Sequence, residues 1–262
     1  MIFKVLNRLK GILNVTSSLL YQEIAGQEKY ADPRRLAQYE LRIHSQNGED
    51  GVVQRLVQII DNIPTTFVEI GVGDGRENNT AFLLRQGWQG SWIEGNPGFC
   101  RKIRKRFDRE ITTGQLTLVE ALVAPDNVDG LVRSVSGDKV GILSIDIDRD
   151  THHIWSRLDC IKPSVAIIEY NAAFRPPLRW CSDYVPGEIW DGGVDYGASL
   201  QVIEDIGRAK GYSLVGCDLC GVNAFLVRDD LVSGDKFLAP YDAVTHYEAA
   251  RHAMQPPGNY RF

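Results

Sequence analysis

The stretch "FVEIGVGDGRENNT", residues 67–80, joins an apolar run to a glycine-rich turn. Glu69 lies in the apolar run, and Gly71, Gly73 and Gly75 form the turn before a helix-like segment. Glycine adopts backbone conformations that other residues avoid, and it lets a ligand approach the main chain. Ligands of open α/β sheets bind beyond the carboxyl ends of the strands. The stretch therefore predicts a strand, a ligand-binding turn and a helix.

Short apolar runs of β type alternate with helical segments from residue 65 onwards. The predicted strands are 66–71, 90–95, 116–123, 140–148, 164–171, 212–218 and 223–229. The predicted helices lie near 77–86, 97–108, 151–160 and 198–210, and another follows the loop that begins at Ser45. Apolar strands separated by helices indicate a Rossmann-like, doubly wound α/β sheet of seven strands, mostly parallel, with helices on both faces. Only "LCGV" separates the last two runs, so we expect the last strand to be antiparallel to its neighbour.

Composition and charge argue against several classes of protein. The chain has 262 residues, which fits one large domain with additions. Its net charge of -5 argues against a general affinity for nucleic acid. The basic run at 101–110 is interpreted as a solvated helix face, with phosphate binding as the alternative. Five cysteines do not indicate a disulfide framework, and the lone pair Cys217 and Cys220 lacks the second ligand pair of a zinc site.

The N-terminal segment predicts a helix that does not cross a membrane. Lys4, Arg8 and Lys10 interrupt its apolar residues, so a signal peptide is not expected. No apolar run reaches the roughly 18 residues of a membrane span, and we expect a cytoplasmic protein. Apolar residues recur at helical spacing, at Ile2, Phe3, Leu6, Leu9 and Leu13. We expect this helix to pack on its own domain or on a second subunit of a homodimer, with membrane-surface contact as the less favoured interpretation.

The spacing of the glycines distinguishes two classes of nucleotide ligand. A nicotinamide dinucleotide fold has G-x-G-x-x-G and places a pyrophosphate at a helix N-terminus. This chain has G-x-G-x-G after Glu69, which resembles the first motif of class I S-adenosylmethionine (SAM) methyltransferases. The resemblance implies that Glu69 helps to orient the methionine ammonium group. It also implies that the backbone of Gly71 and Gly73 borders the cofactor.

Residues at the ends of the next two strands extend this nucleoside site. Glu94 ends the second strand, where a carboxylate can accept hydrogen bonds from both ribose hydroxyls of either NAD or SAM. The alternative for Glu94 is a surface acid at a strand end. Glu120 and Ala121 lie toward the end of the third run, and we expect them to meet the adenine ring.

Six segments carry a closer resemblance. They are "SQNGEDG", "FVEIGVGDGRENNT", "GWQGSWIEGNP", "SIDIDRDTHHIW", "IIEYNAAF" and the stretch from Asp195 to Leu231. Together they resemble bacterial FkbM-like SAM-dependent methyltransferases, many of which occur with natural-product or surface-polysaccharide pathways. The resemblance implies a SAM-binding domain over 43–232, with Gln46 and Glu49 near the cofactor end of the site. A helical extension, 1–42, and a C-terminal tail, 233–262, lie outside it.

Oxygen-bearing residues follow the fourth and fifth strands. Asp146 and Asp148 share one side if the fourth strand continues, and Glu169 and Asn171 share one side of the fifth. Because we expect these strands to be neighbours, the four residues predict a site for a hard cation such as Mg²⁺. The position resembles the metal sites of catechol O-methyltransferase and macrocin-type sugar O-methyltransferases. The alternative is that Asp146 orients SAM or the acceptor while the other acids cap the next helix.

Two further features concern the acceptor. His152 and His153 begin the next helix and are candidate general bases, with Asp146 as a third catalytic candidate. The alternative is an incidental histidine pair at an exposed helix end. The connection 171–197 is long for a link between a strand and a helix. Its aromatic residues include Trp180, Tyr184, Trp190 and Tyr196, and it also carries Arg175 and Arg179. Such a segment suits a sugar or a ring-bearing acceptor, and the alternative is a loop that packs on itself.

These features predict an enzyme, a SAM-dependent methyltransferase that acts on a hydroxyl group of a small acceptor such as a sugar or natural product. Mg²⁺ is an optional second cofactor. An N-methyltransferase with the same cofactor site stays open, as do a nicotinamide-dependent oxidoreductase and a non-catalytic partner subunit with this fold. The missing G-x-G-x-x-G argues against the oxidoreductase, and the intact glycine turn argues against a subunit that has lost its site.

Overall fold

The computed structural model describes residues 2–137, 139–188, 190–252, 254 and 256, and for residues 2–11, 13 and 14 it describes the backbone alone. The apolar residues that the sequence predicts for one face of the first helix therefore lie outside the described side chains; they are Ile2, Phe3, Leu6, Leu9 and Leu13. The helices are α1 (Ile2–Ala25), α2 (Glu49–Ile59), α3 (Ala81–Arg85), α4 (Pro97–Arg106), α5 (Asp108–Thr112), α6 (Val128–Val135), α7 (Thr151–Arg157), α8 (Leu200–Ala209) and α9 (Ala243–His246). The strands are β1 (Thr66–Ile70), β2 (Gln89–Glu94), β3 (Leu116–Glu120), β4 (Ile142–Ile145), β5 (Val165–Glu169), β6 (Tyr212–Cys217) and β7 (Asn223–Arg228). Among the described residues, no helix combines the length and the apolar character needed to cross a bilayer.

The described strands form one seven-stranded sheet in the order β3-β2-β1-β4-β5-β7-β6. The strands from β3 to β5 in this order are parallel to one another, whereas β7 is antiparallel to both of its neighbours. The doubly wound α/β fold and the antiparallel last strand are thus confirmed. The chain passes outward from β1 to β3 and returns on the other side of β1 with β4. Ligands of such sheets bind where the strand order reverses, which here is between β1 and β4.

Apolar side chains bury both faces of the sheet. Along β1, Phe67 faces one core layer while Val68 and Ile70 face the other, because side chains alternate along a strand. In the layer of Phe67, the rings of Trp92 and Phe107 meet edge to face with centroids 4.8 Å apart. The rigid sheet therefore fixes the positions of the residues that follow each strand.

Two predicted helices differ from the observed ones for local reasons. The helix expected at 77–86 begins only at Ala81, because the residues before it fold around the Glu69 carboxylate. The helix expected at 97–108 is divided into α4 and α5 at Phe107. The backbone there leaves helical geometry, with φ -113° and ψ 29°, while the ring is buried in the core.

One strand end and one further helix also differ from the sequence prediction. β4 ends at Ile145, before the predicted end at 148. The chain then enters a short 3-10 helix, in which Asp148 has a positive φ of 57°. The sequence prediction omits α6, an eight-residue helix that buries Val128 and Val132.

The two ends of the described chain meet beside the β6–β7 hairpin. Tyr21 of α1 packs in a small apolar cluster with Tyr30 and Met254. The buried Glu248 carboxylate accepts a hydrogen bond from the Tyr30 hydroxyl over 2.7 Å and pairs with Lys29 at 2.6 Å. The predicted division into extension, central domain with an acceptor-site insertion, and tail stays a prediction.

Replacing Gly71 with alanine is expected to destabilise the fold strongly. Gly71 has a φ of +82°, and a Cβ atom there would lie 1.7 Å from the Asp146 carbonyl oxygen. The clash and the backbone strain predict a loss of about 3 kcal/mol or more in the free energy of unfolding, measured by urea denaturation. Gly73→Ala is the matched control: its φ is +60°, but a Cβ meets nothing within 4 Å, so we expect a loss of only about 1 kcal/mol. Equal losses would contradict the assigned contact between β1 and β4.

Candidate functional site

The glycine turn lies at the carboxyl ends of β1 and β2 and is held by one carboxylate. The N–H groups of Val72 and Gly73 donate to Glu94 Oε2 over 3.1 and 2.8 Å, and the N–H of Asn96 donates to Oε1 over 2.7 Å. Gly73 has a positive φ and open space where a side chain would lie. A carboxylate accepts about four hydrogen bonds. Glu94 can therefore keep these three and still accept one from a ligand.

Glu69 is buried below the turn and orders the loop that follows it. Its carboxylate accepts hydrogen bonds from Asn78 Nδ2 (2.7 Å), the N–H of Asn79 (2.8 Å), and the N–H and hydroxyl of Thr80 (3.1 and 2.5 Å). Burial raises the pKa of Glu69, and these hydrogen bonds oppose the rise. Trp92 Nε1 donates to Thr80 Oγ1 over 2.8 Å and fixes the loop to the core. Both carboxylate oxygens of Glu69 therefore accept hydrogen bonds from this loop, and the role of Glu69 toward a ligand stays a prediction.

A cleft opens between this loop and the carboxyl end of β4. The described residues that line it are Gln46, Asn47, Glu49, Glu69, Gly71, Glu77, Asn78, Asn79, Asp146 and Asn223. Four of these residues are carboxylic acids, and none is Lys, Arg or His. The amide oxygens of Asn78 and Asn223 are buried and have no hydrogen-bond partner within the described protein. The cleft thus offers a ligand mainly hydrogen-bond acceptors and negative charge.

This cleft brings together five residues that the sequence analysis singles out, namely Gln46, Glu49, Glu69, Gly71 and Asp146. It also depends on residues that the sequence analysis omits. Asn223 Nδ2 donates to Glu49 Oε1 over 2.7 Å. Asp50 Oδ2 accepts hydrogen bonds from the N–H and the hydroxyl of Ser45 (2.7 and 2.8 Å) and so shapes the loop before α2. The signal that marks Asn223 is a polar residue at the start of an apolar strand, whereas an acid in the first turn of a helix, like Asp50, is too common to be a signal.

The residues expected to meet adenine lie outside the lining of this cleft. The N–H of Ala121 donates to the Glu94 carbonyl oxygen over 3.0 Å, which places Ala121 beside the residue that holds the glycine turn. Glu120 is exposed and pairs with Arg104 of α4 at 2.8 Å. Leu122, which follows Ala121, is a strongly exposed apolar residue that has no part in the sequence prediction.

Three carboxylates meet at the carboxyl ends of β4 and β5. Asp146, Asp148 and Glu169 each place a carboxylate oxygen within 4.8 Å of the other two. Strand alternation was the wrong reason to expect this, because β4 ends before Asp146. The positive φ of Asp148 turns the chain back instead, and the Thr151 hydroxyl ties the turn together by accepting from the N–H of Ile147 over 3.0 Å. The role of these acids as metal ligands stays a prediction.

Burial and mutual repulsion set the protonation of this acid cluster. Burial raises the pKa of Asp146 to about 7, and the Asp148 charge adds to the rise. Burial, followed by the charges of Asp146 and Asp148, raises the pKa of Glu169 well above its usual range. Burial also raises the pKa of Asp148. Such rises show that burial and repulsion outweigh any stabilising positive charge nearby, so the donor set fits a divalent cation with oxygen ligands.

Asn171, the fourth predicted ligand, holds the connection 171–197 in place. Its Nδ2 donates to the carbonyl oxygens of Val194 (2.7 Å) and Tyr196 (2.9 Å), and its Oδ1 accepts from the N–H of Ala173 (2.9 Å). The amide therefore ties the two ends of this connection together beside the acid cluster. Its predicted role as a ligand would use the remaining lone pair of Oδ1.

His152 and His153 lie against the same connection. Their Nε2 atoms are 3.2 and 3.0 Å from the Ser182 carbonyl oxygen, so the assigned tautomers carry a proton on Nε2. Burial, with the neighbouring His153, lowers the pKa of His152 to about 4. His152 Nδ1 is buried without a partner among the described residues. The structure therefore places both imidazoles where they anchor the connection, and their role as general bases stays a prediction.

Aromatic rings of the connection 171–197 pack against one another. The rings of Trp190 and Tyr196 lie 4.9 Å apart. Burial, with the charges of Glu169, Asp148 and Asp146, raises the pKa of Tyr196 to about 12. Arg179 pairs with Asp205 of α8 at 2.7 Å.

Comparisons with known proteins give likenesses among solved structures. Neither a protein-family model nor a curated protein sequence matches the chain. It is similar to a mitomycin 7-O-methyltransferase (16% identity, TM-score 0.41, covering 68% of this chain and 55% of that one). It is also similar to a glycopeptide N-methyltransferase complexed with S-adenosyl-L-homocysteine (15%, 0.42, covering 73% and 92%). A third is the magnesium protoporphyrin IX methyltransferase of Synechocystis PCC 6803 (15%, 0.45, covering 85% and 99%). The chain thus spans about half the length of the first of these proteins.

Proposed function

We propose that this chain is a SAM-dependent methyltransferase that binds SAM in the cleft beside the glycine turn. The observation that supports this most directly is the lining of the cleft, which combines four carboxylic acids with two unpartnered amide oxygens. SAM carries a sulfonium and an ammonium group, both positive, and one carboxylate, so its net charge is positive, and the ammonium donates hydrogen bonds. An acidic cleft that is rich in acceptors suits this ligand.

The same cleft argues against a nicotinamide dinucleotide. The pyrophosphate of such a ligand is an anion, and it binds at the N-terminus of a helix that opens at the glycine turn. In this chain α3 begins only at Ala81, after the loop that is ordered by Glu69. Carboxylates rather than free helix N–H groups border the turn. The charge and the position of the helix therefore both favour SAM.

The residues assigned to SAM in this proposal are Gln46, Glu49, Glu69, Gly71, Gly73, Glu94, Glu120 and Ala121. Glu94 keeps its hydrogen bonds from the N–H groups of Val72 and Gly73, and it also accepts a hydrogen bond from the ribose. The free amide oxygens of Asn78 and Asn223 accept from the ammonium group of the methionine end. The backbone of Gly71 and Gly73 lies between these two ends of the cofactor.

The acid cluster is assigned to a divalent cation, with Mg²⁺ as the candidate. Carboxylate oxygens of Asp146, Asp148 and Glu169 that converge in this way form the kind of ligand set that Mg²⁺ binds, and Asn171 is the fourth candidate ligand. When bound, such a cation makes an acceptor hydroxyl easier to deprotonate. A cation in this position therefore favours O-methylation of a hydroxylated small molecule.

The reaction is an in-line displacement at the methyl carbon. The bond from sulfur to the methyl group breaks as the bond from the acceptor oxygen forms, which leaves S-adenosylhomocysteine (SAH), and the hydroxyl proton passes to a base. Asp146 belongs to both the cleft and the acid cluster, so it lies where donor and acceptor meet. Asp146, His152 and His153 are the candidate bases. Trp190 and Tyr196 supply a wall for a sugar or ring-bearing acceptor and keep it oriented.

Calorimetric titration with SAM, SAH and NADH tests the cofactor. We expect micromolar binding of SAM and SAH and no binding of NADH, because the cleft is acidic and lacks a phosphate site. Asn78→Leu should weaken binding by about tenfold, because a buried ammonium then loses a partner. Binding of NADH with no binding of SAM or SAH would overturn the proposal.

Asp148→Asn tests the cation assignment through thermal stability. Without divalent cations, removal of the Asp148 charge, which repels the neighbouring carboxyl groups, is expected to stabilise the fold by about 1 kcal/mol after allowance for solvent screening, or roughly 2–4 °C in Tm. Saturating Mg²⁺ should raise the Tm of the native protein and have little effect on the variant. Asp126→Asn removes the same charge from an exposed turn and is the matched control. Equal responses of both variants to Mg²⁺ would contradict the assignment.

A further inference from the structure

The outward face of α1 carries a row of exposed apolar side chains. Ile12, Val15 and Leu19 are 63%, 61% and 59% exposed, and Leu20 is 41% exposed. Residues at positions i, i+3 and i+7 of a helix share one face, so Ile12, Val15 and Leu19 form a continuous stripe. Single exposed apolar residues are common on protein surfaces, but such a stripe marks a surface that contacts something.

The opposite face of α1 fixes the direction of this stripe. Tyr21 and Ser17 are buried, and Tyr21 packs with Tyr30 and Leu219 at the end of the β6–β7 hairpin. The helix is therefore attached to the domain through its C-terminal half. Because the attached side is already filled, the stripe faces away from the domain.

The charge of this segment is opposite to that of the whole chain. Lys4, Arg8 and Lys10 lie in the first half of α1, and the first acidic residue of the chain is Glu23. The chain as a whole has a net charge of -5. Three basic residues and no acidic residue thus precede the exposed apolar stripe along the chain, and a basic segment joined to an apolar stripe suits the interface of an anionic membrane.

We propose that α1 seats the protein on an anionic lipid surface, with the stripe of Ile12, Val15 and Leu19 at the level of the acyl chains. Lipid phosphates attract the three cations of the first half of the helix, while the apolar stripe leaves water. A second copy of the chain is the competing occupant. Two helices packed in parallel along this stripe would bring equal sets of basic residues side by side, so charge disfavours a parallel pair, and an antiparallel pair is an outcome that the test below distinguishes. This interaction is independent of the proposed methyltransferase activity.

Sedimentation with vesicles tests this surface on the full chain. We expect the protein to bind vesicles that contain phosphatidylglycerol and to stay unbound with vesicles of phosphatidylcholine alone, and we expect added salt to weaken binding. Ile12→Glu and Leu19→Glu should each lower the bound-to-free ratio by about tenfold, since each removes one buried apolar side chain and adds a negative charge. Val244→Glu, at an apolar side chain of α9 that is 69% exposed, is the matched control and should bind like the native protein.

Two results would overturn the proposal. One is no preference for phosphatidylglycerol vesicles, or an equal loss of binding in the α9 control. The other is a dimer, detected by light scattering, that Leu19→Glu converts to a monomer with no change in vesicle binding; the stripe would then be the interface between two copies. Circular dichroism checks that each variant keeps its helix content, and SAM titration is scored separately, so failure of one proposal leaves the other intact.

Discussion

The close contact between Gly71 and the main chain after β4 is the constraint on which the site depends. No side chain fits between the two, because a Cβ on Gly71 would meet the Asp146 carbonyl oxygen. The turn after β1 and the acids after β4 are therefore held against each other at the point where the strand order reverses. A cofactor on the turn and an acceptor near the acids would consequently lie within reach of one another.

Carboxylates organise this edge of the sheet in two different ways. Glu69 and Glu94 are surrounded by donors from the protein, and they hold backbone loops in defined shapes. Asp146 and Glu169 have raised pKa values because burial and mutual repulsion dominate. The first pair stabilises the structure, whereas the second stores unfavourable energy that a positive ligand can relieve. This contrast separates the residues that build the site from those that the proposal assigns to its chemistry.

The fold could be predicted from the sequence because each strand is a continuous apolar run and the final hairpin is short. The helix boundaries near Ala81 and Phe107 could not, because a buried carboxylate and a buried ring decide them through tertiary contacts. The acid cluster was expected at the right place for the wrong reason, since a local turn at Asp148 replaces strand alternation.

Other parts of the site lay beyond the sequence. Asn78 lies in a loop and Asn223 begins β7, far apart in the chain, and the partners of their amide nitrogens, Glu69 and Glu49, are visible only once the chain is folded. The predicted roles of His152 and His153 as bases likewise ignored Ser182, whose carbonyl oxygen engages both rings. The role of a short polar side chain depends on its neighbours in the fold, and the periodicity of apolar residues in the sequence does not predict these neighbours.

A crystal structure of the protein with SAH tests the central claim most directly. The account predicts the SAH amino group within hydrogen-bond distance of the amide oxygen of Asn78 or Asn223, and the ribose beside Glu94. SAH bound away from this cleft, or bound with its amino group turned away from both amide oxygens, would contradict the account.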